Sequence, residues 1–226
     1  MTVFDIRLVD AALEPQLLAE YRVAHLRALA RVGYPPLKSS REQDWNTQEC
    51  ALLLAFDTGG TLIGGVRLQR HLPERPMPCA EVLRSTVVGF DDLLARDAAD
   101  GGCGEACGLW VDSDYSGHGF VNALMLAVVS QARRWCGDWL WGISPMRLVS
   151  NYLDAGYQVC TELGNEGAFW YEVVDEESWI LHVETATLTT LPHQDRALLT
   201  RLREEGKGER SSLGPQGGLN FRFDLI

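Results

Sequence analysis

The stretch from Gly104 to Cys136 does most to limit what this chain can fold into. Its first part, Glu105 to Val111, ends on bulky residues and reads as a strand. Tyr115-Ser116-Gly117-His118-Gly119 is a glycine turn. Apolar residues then recur at Val121, Leu124, Met125, Val128, Ala132 and Trp135, in steps of three and four, so a helix follows the turn. A strand, a glycine turn and a helix start aim free backbone N–H groups and the positive end of the helix dipole the same way, which suits a phosphate. A glycine pair before a helix also serves as a plain tight turn, and the stretch alone does not separate the two.

The flanking sequence supplies more elements. Val3 to Val9 reads as a strand, and Leu13 to Val32 as a helix ended by Gly33-Tyr34-Pro35-Pro36. Leu37 to Glu49 is polar and irregular. Ala51 to Phe56 and Thr61 to Gln69 form a hairpin around Asp57-Thr58-Gly59-Gly60. Pro73, Pro76 and Pro78 make residues 71–80 a loop. Glu81 to Arg96 is open between strand and helix, and Asp97 to Cys103 is a small-residue loop. Beyond the central helix, Trp139 to Ile143 is a buried strand and Met146 to Ala155 a helix capped by Gly156. Tyr157 to Leu163 and Ala168 to Val174 read as two strands joined by Gly164-Asn165-Glu166-Gly167, with a third at Trp179 to Leu188. A helix runs from Pro192 through Arg203, the Gly-rich residues 206–218 read as mobile, and Leu219 to Ile226 as an added edge strand. The sum is a mixed α/β fold around one central sheet.

Composition narrows the function. Acids outnumber bases, for a net charge of −11, which argues against nucleic acid as a partner. No run of about 18 apolar residues occurs, so no membrane span is expected. The six cysteines make no CxxC pair, and Cys103 and Cys107 have no second pair nearby, so no metal site is expected. With charged residues among the first ten and no secretory pattern, a reduced, cytoplasmic protein is the economical reading.

Two motifs resemble the GNAT acyltransferase superfamily. Asp114-Tyr115-Ser116-Gly117-His118-Gly119 is similar to the family's Arg/Gln-x-x-Gly-x-Gly/Ala turn, matching at both glycines and differing at Asp114. Asn151-Tyr152-Leu153-Asp154-Ala155-Gly156-Tyr157 is similar to its last helix, with a Tyr four residues before Gly-Tyr. A narrower resemblance, over roughly residues 15–190, is to the acyl-homoserine-lactone synthases and N-acyl-amino-acid synthases. It rests on Glu42-Gln43-Asp44, Gly64-Gly65-Val66-Arg67-Leu68 and Glu105-Ala106-Cys107-Gly108, where Gly108 replaces the Arg of Glu-x-Ser-Arg and Thr47 a usual Asp.

The resemblance implies an α/β (α+β) GNAT-like three-layer fold, a mixed central sheet with helices on both faces. It implies a GNAT-like domain over residues 1–190 and a C-terminal helix with a flexible Gly-rich extension over 191–226. The activity it implies is N-acyl transfer from an acyl-CoA or acyl-carrier-protein thioester, used as co-substrate without a tightly bound cofactor, to the amine of a small amino-acid-like acceptor. A lactone synthase and a non-catalytic thioester-binding module stay as alternatives.

Site residues follow. An amine is cationic at neutral pH and needs a base, for which Glu105 is the candidate, directly or through a water; a salt-bridged strand-end acid is the plainer alternative. Tyr152 is the candidate acid for the leaving thiolate, or else a packed aromatic. The Val111 amide is placed at the thioester oxygen. Ser116, Gly117, His118, Gly119 and Phe120 are placed at the donor's phosphates, His118 through its backbone. Glu42, Asp44 and Arg67 are expected to form an ion network that orders the irregular segment over the acceptor pocket, surface charge being the plainer alternative, with Trp45, Trp110 and Ser144 as further substrate contacts. Trp45, Trp110, Trp139 and Trp141 fit a core as well as an acyl pocket. Arg133, Arg134 and Arg147 offer a docking patch for an acidic carrier protein, or simply solvated helix faces.

Overall fold

The structure, a computed structural model, describes residues 2–40, 50–191, 193–214 and 217–226. Strand β1 (Thr2–Asp10) leads into helix α1 (Pro15–Arg31) and a hairpin of β2 (Cys50–Phe56) and β3 (Leu62–Arg70). Helices α2 (Pro78–Thr86) and α3 (Phe90–Ala99) precede β4 (Cys103–Val111), α4 (Phe120–Trp135), β5 (Trp139–Pro145) and α5 (Met146–Asp154). Then come β6 (Gln158–Val159), β7 (Ala168–Tyr171), β8 (Glu176–Glu184), α6 (His193–Glu205), β9 (Lys207–Gly214) and β10 (Gly217–Asp224).

The strands make one mixed sheet in the order β6-β8-β5-β4-β3-β2-β1-β10-β9, with β7 also on β8. β1–β10 and β4–β5 are parallel and the other pairs antiparallel. Helices cover both faces. Ala51, Leu53 and Ala55 of β2 pack with α4, whereas Cys50, Leu52 and Leu54 pack with Leu18 and Tyr21 of α1. A strand covered on both sides is apolar throughout, which is why residues 50–56 lack alternation. α4 is buried continuously from Ala123 to Ala132, between the sheet and α6. No helix among the described residues is long and apolar enough to cross a membrane.

Two helix ends bear on the site. α1 closes with the Gly33 N–H on Ala30 O and the Tyr34 N–H on Leu29 O, Gly33 taking φ +80°. α5 closes the same way, with Tyr157 N–H on Tyr152 O and Gly156 at φ +90°. That turn folds the Tyr157 ring edge-on against Tyr152, centroids 5.1 Å apart, and so fixes the phenol.

Several local expectations are corrected. Pro78 lies in no loop: it starts α2, where the missing N–H costs nothing. Residues 81–96 divide between two helices, and α3 continues to Ala99. The segments 157–163 and 168–174 do not pair with each other; β6 and β7 are short and both lie on β8. The Gly-rich 206–218 region carries strand β9, which pairs with β10, so β9 is the edge and β10 lies inside, against β1. Phe221, Phe223 and Leu225 bury against the α4 core.

Candidate active site

The site begins where the sheet comes apart. β4 and β5 pair over only three positions, Cys103–Trp139, Gly104–Leu140 and Glu105–Trp141. Past Glu105, β4 stays with β3 and leaves β5. A bulge helps it turn: between the Gly65–Trp110 and Arg67–Cys107 pairs, β4 spends Gly108 and Leu109 against Val66 alone. Gly108 adopts φ +65°, and a Cβ there would lie 2.5 Å from the Tyr21 hydroxyl oxygen. Tyr21 Oη donates to Gly108 O at 2.7 Å and clamps the bulge from α1.

A cavity of about 470 Å³ occupies the split, within the range of small-molecule sites. Glu105 and Tyr152 both line it. Glu105 is 3% exposed, and its Oε2 accepts the Cys79 N–H from the first turn of α2 at 2.7 Å. Burial pushes its carboxyl up to about 7, the Cys79 N–H and thiol and the Arg67 charge offsetting only part of this. Tyr152 reaches in from α5 on the other side of the sheet, where a Cβ at Gly142 would meet its Cε1 at 3.0 Å. Burial, then the Glu105 charge, pushes its phenol above the ordinary 10, so it stays protonated. The pair is a base able to ionise near neutrality and a phenol that keeps its proton to give.

A profile of the Acetyltransferase (GNAT) family matches residues 19–145, more than half of the chain. The chain belongs to the GNAT family. No curated protein matches it significantly. Solved structures of the same fold include FeeM, an N-acyl amino acid synthase from uncultured soil microbes, at 13% identity and TM-score 0.65, covering 87% of this chain and 99% of that one. BjaI, a CoA-dependent acyl-homoserine lactone synthase solved with SAM and isopentyl-CoA, matches at 18% identity and TM-score 0.54 over 86% of each chain. Escherichia coli ElaA matches at 13% identity and TM-score 0.52, over 80% of this chain and 99% of that one. At these identities the likeness is one of fold.

The sequence candidates fall at different distances from the cavity of this GNAT protein. Val111, Ser116, Trp110 and Ser144 line it with Glu105 and Tyr152. Gly117, His118, Gly119 and Phe120 do not; they form the turn and first residue of α4 beside it, and the Phe120 ring is core, against Phe4 and Phe221. Trp141 is core, and Trp139 packs against the same cluster. Arg67 is wholly buried under the sheet face and its Nε–H donates to Cys107 Sγ at 3.3 Å. Glu42, Asp44 and Trp45 lie outside the described residues. Arg147 lines the cavity mouth, bound to Glu176 Oε1 at 2.7 Å and Tyr34 Oη at 2.9 Å, whereas Arg133 and Arg134 border a separate recess, so the three do not share one recess.

Sequence reasoning passed over other cavity residues. His25 stands one helical turn after Tyr21, a spacing that could have marked it as facing the sheet. Burial, then Arg67, lowers its imidazole to about 4, which keeps it neutral. Burial pushes the Cys107 thiol up to about 12 despite the Arg67 charge, which removes it as a nucleophile at neutral pH. Arg31, in the last turn of α1, reaches Asp112 Oδ1 at 3.4 Å and Ser113 Oγ at 3.3 Å. It brings a positive charge beside a turn whose own sequence supplies Asp114.

Proposed function

We propose that this GNAT protein is an N-acyltransferase that moves an acyl group from a coenzyme A or acyl-carrier-protein thioester to the amine of a small amino-acid-like acceptor. One observation carries the reading: a buried carboxyl with its pKa near 7 and a buried, protonated phenol share one cavity at the split between β4 and β5. Glu105 takes a proton from the acceptor's ammonium group. The freed nitrogen attacks the thioester carbonyl carbon, and the carbon–sulfur bond breaks as the tetrahedral intermediate collapses. Tyr152 protonates the departing thiolate, and the second amine proton replaces the one it gave. Among the described residues, the β5 side of β4 has no strand partner beyond Glu105, which leaves main-chain groups up to Val111 to hold the donor's amides and the carbonyl oxygen.

Acyl-CoA and acyl-carrier-protein donors, offered with amino-acid amines and with S-adenosylmethionine, test this by thiol release and product mass. Amide product is expected, and Tyr152→Phe should lower kcat about 10- to 100-fold with little change in donor KM. Lactone from S-adenosylmethionine would make the chain a lactone synthase instead. No turnover of any thioester would leave a binding module.

A further inference from the structure

Two cross-strand pairs stand side by side on the sheet face under α1 and α2. β3 sets Arg67 opposite Cys107 and Gln69 opposite Glu105. None of the four is more than 6% exposed. Directly opposite residues of an antiparallel pair share a face, with Cβ atoms about 4.5–5.5 Å apart. Arg67 and Cys107 meet across that gap. Gln69 is different: among the described residues neither its Oε1 nor its Nε2 has a hydrogen-bond partner. A buried amide with both ends unmet is costly, and this one stands in register with the buried carboxyl of the site.

We propose that Gln69 is a positioning residue for Glu105, its amide turning to hydrogen-bond the carboxyl in both of that group's protonation states. The inference rests on reading Glu105 as the base. A carboxylate only accepts hydrogen bonds, and once it has taken a proton it has an O–H to place. The Cys79 N–H that holds Oε2 serves as a donor only. A primary amide offers both an NH₂ and a C=O, and a half-turn of its terminal torsion exchanges them. Ionised, Glu105 would accept from Gln69 Nε2; protonated, it would donate to Gln69 Oε1. The other titratable or charged groups facing Glu105 are Arg67 on β3, Cys79 and Glu81 on α2, Cys107 on β4, and Tyr152 and Tyr157 at the end of α5. Gln69 alone among the cross-strand neighbours offers a neutral group of both polarities.

Gln69→Met keeps the length of the side chain and removes both hydrogen-bonding ends. The Glu105 carboxyl is titrated directly by carbon NMR, with Glu105→Gln identifying its signal. Both protonation states lose a hydrogen bond, but the one to the ionised carboxylate is the stronger, so the titration should move to higher pH by about one unit. The acid limb of kcat/KM should move with it, and kcat should fall about tenfold or more. Gln69→Leu, also apolar and of similar volume, makes the same test if the Met variant does not fold, with the same upward move expected. A Met variant that melts higher, with the Glu105 titration unmoved or lowered, would overturn the proposal and leave Gln69 an unpaired polar group. Because the titration needs no turnover, an inactive parent enzyme would count against the acyl-transfer reading alone.

Discussion

At pH 8 the Glu105→Gln variant should turn over thioester at least about a hundredfold more slowly than the parent, yet unfold at a higher temperature. The two effects share one cause. Burial raises the Glu105 carboxyl from 4.5 to about 7, so the folded chain holds a proton there that the unfolded chain has given up. Between those values the folded state binds more protons, and this group's contribution to stability falls as pH rises. Above about pH 7 the full cost is present, roughly 3 kcal/mol for a gap of this size. Gln cannot ionise, yet its carbonyl can still accept the Cys79 N–H that Oε2 accepts at 2.7 Å. Thermal melts at pH 8 and pH 4.5 check this: the variant's advantage should be several degrees at pH 8 and absent at pH 4.5. In the parent, kcat/KM should climb through about pH 7 as the base ionises, and the variant should lack that limb. A variant less stable than the parent at both pH values would mean that Glu105 is an ion-paired structural acid.

The sequence carried the elements whose physics is local. Apolar steps from Val121 to Trp135 gave α4, Asp57 to Gly60 gave the β2–β3 turn, and Gly156 gave the close of α5. Elements set by partners far along the chain were harder to read. Three prolines made residues 71–80 look irregular, although Pro78 starts a helix. That hid the Cys79 amide, which meets a carboxyl 26 residues later. β9 has no apolar alternation because it is an edge strand held by β10, so its polar composition pointed to a loop. The site shows the same division. Glu105 and Tyr152 stood out as an acid on a central strand and a Tyr before Gly-Tyr, and the cavity holds both. His25, Arg31 and Gln69 came from a helix and a hairpin arm read as scaffold, and only register and helix packing bring them beside the split.

Gly108→Arg, which writes the arginine of the related synthases' Glu-x-Ser-Arg into this strand, should lower stability and activity together and restore nothing. The resemblance to those synthases marks position 108 as a replaced arginine. The backbone there has φ +65°, a conformation that costs a side-chain-bearing residue roughly 1–2 kcal/mol. A Cβ would also sit 2.5 Å from Tyr21 Oη, which donates to Gly108 O and is packed beneath α1. Even Gly108→Ala should therefore cost about 2–4 kcal/mol, or some 5–15 °C in Tm for a chain of this size. The clash and the strain separate in a double mutant. Tyr21→Phe removes the offending oxygen and leaves the ring carbon beneath it 3.6 Å from the new Cβ, an ordinary contact. Gly108→Ala with Tyr21→Phe should then be less destabilised than the sum of the single changes, by about 1 kcal/mol or more, while the φ cost stays. A Gly108→Ala protein that melts with the parent would mean that the bulge is soft. Catalysis has a direct stake in that outcome. The two-for-one step at Gly108 and Leu109 lies on the stretch of β4 that has parted from β5, and both residues line the cavity that Glu105 and Tyr152 share. A side chain that straightened the bulge would narrow the split, so thioester turnover should fall even at temperatures where the Ala variant is fully folded.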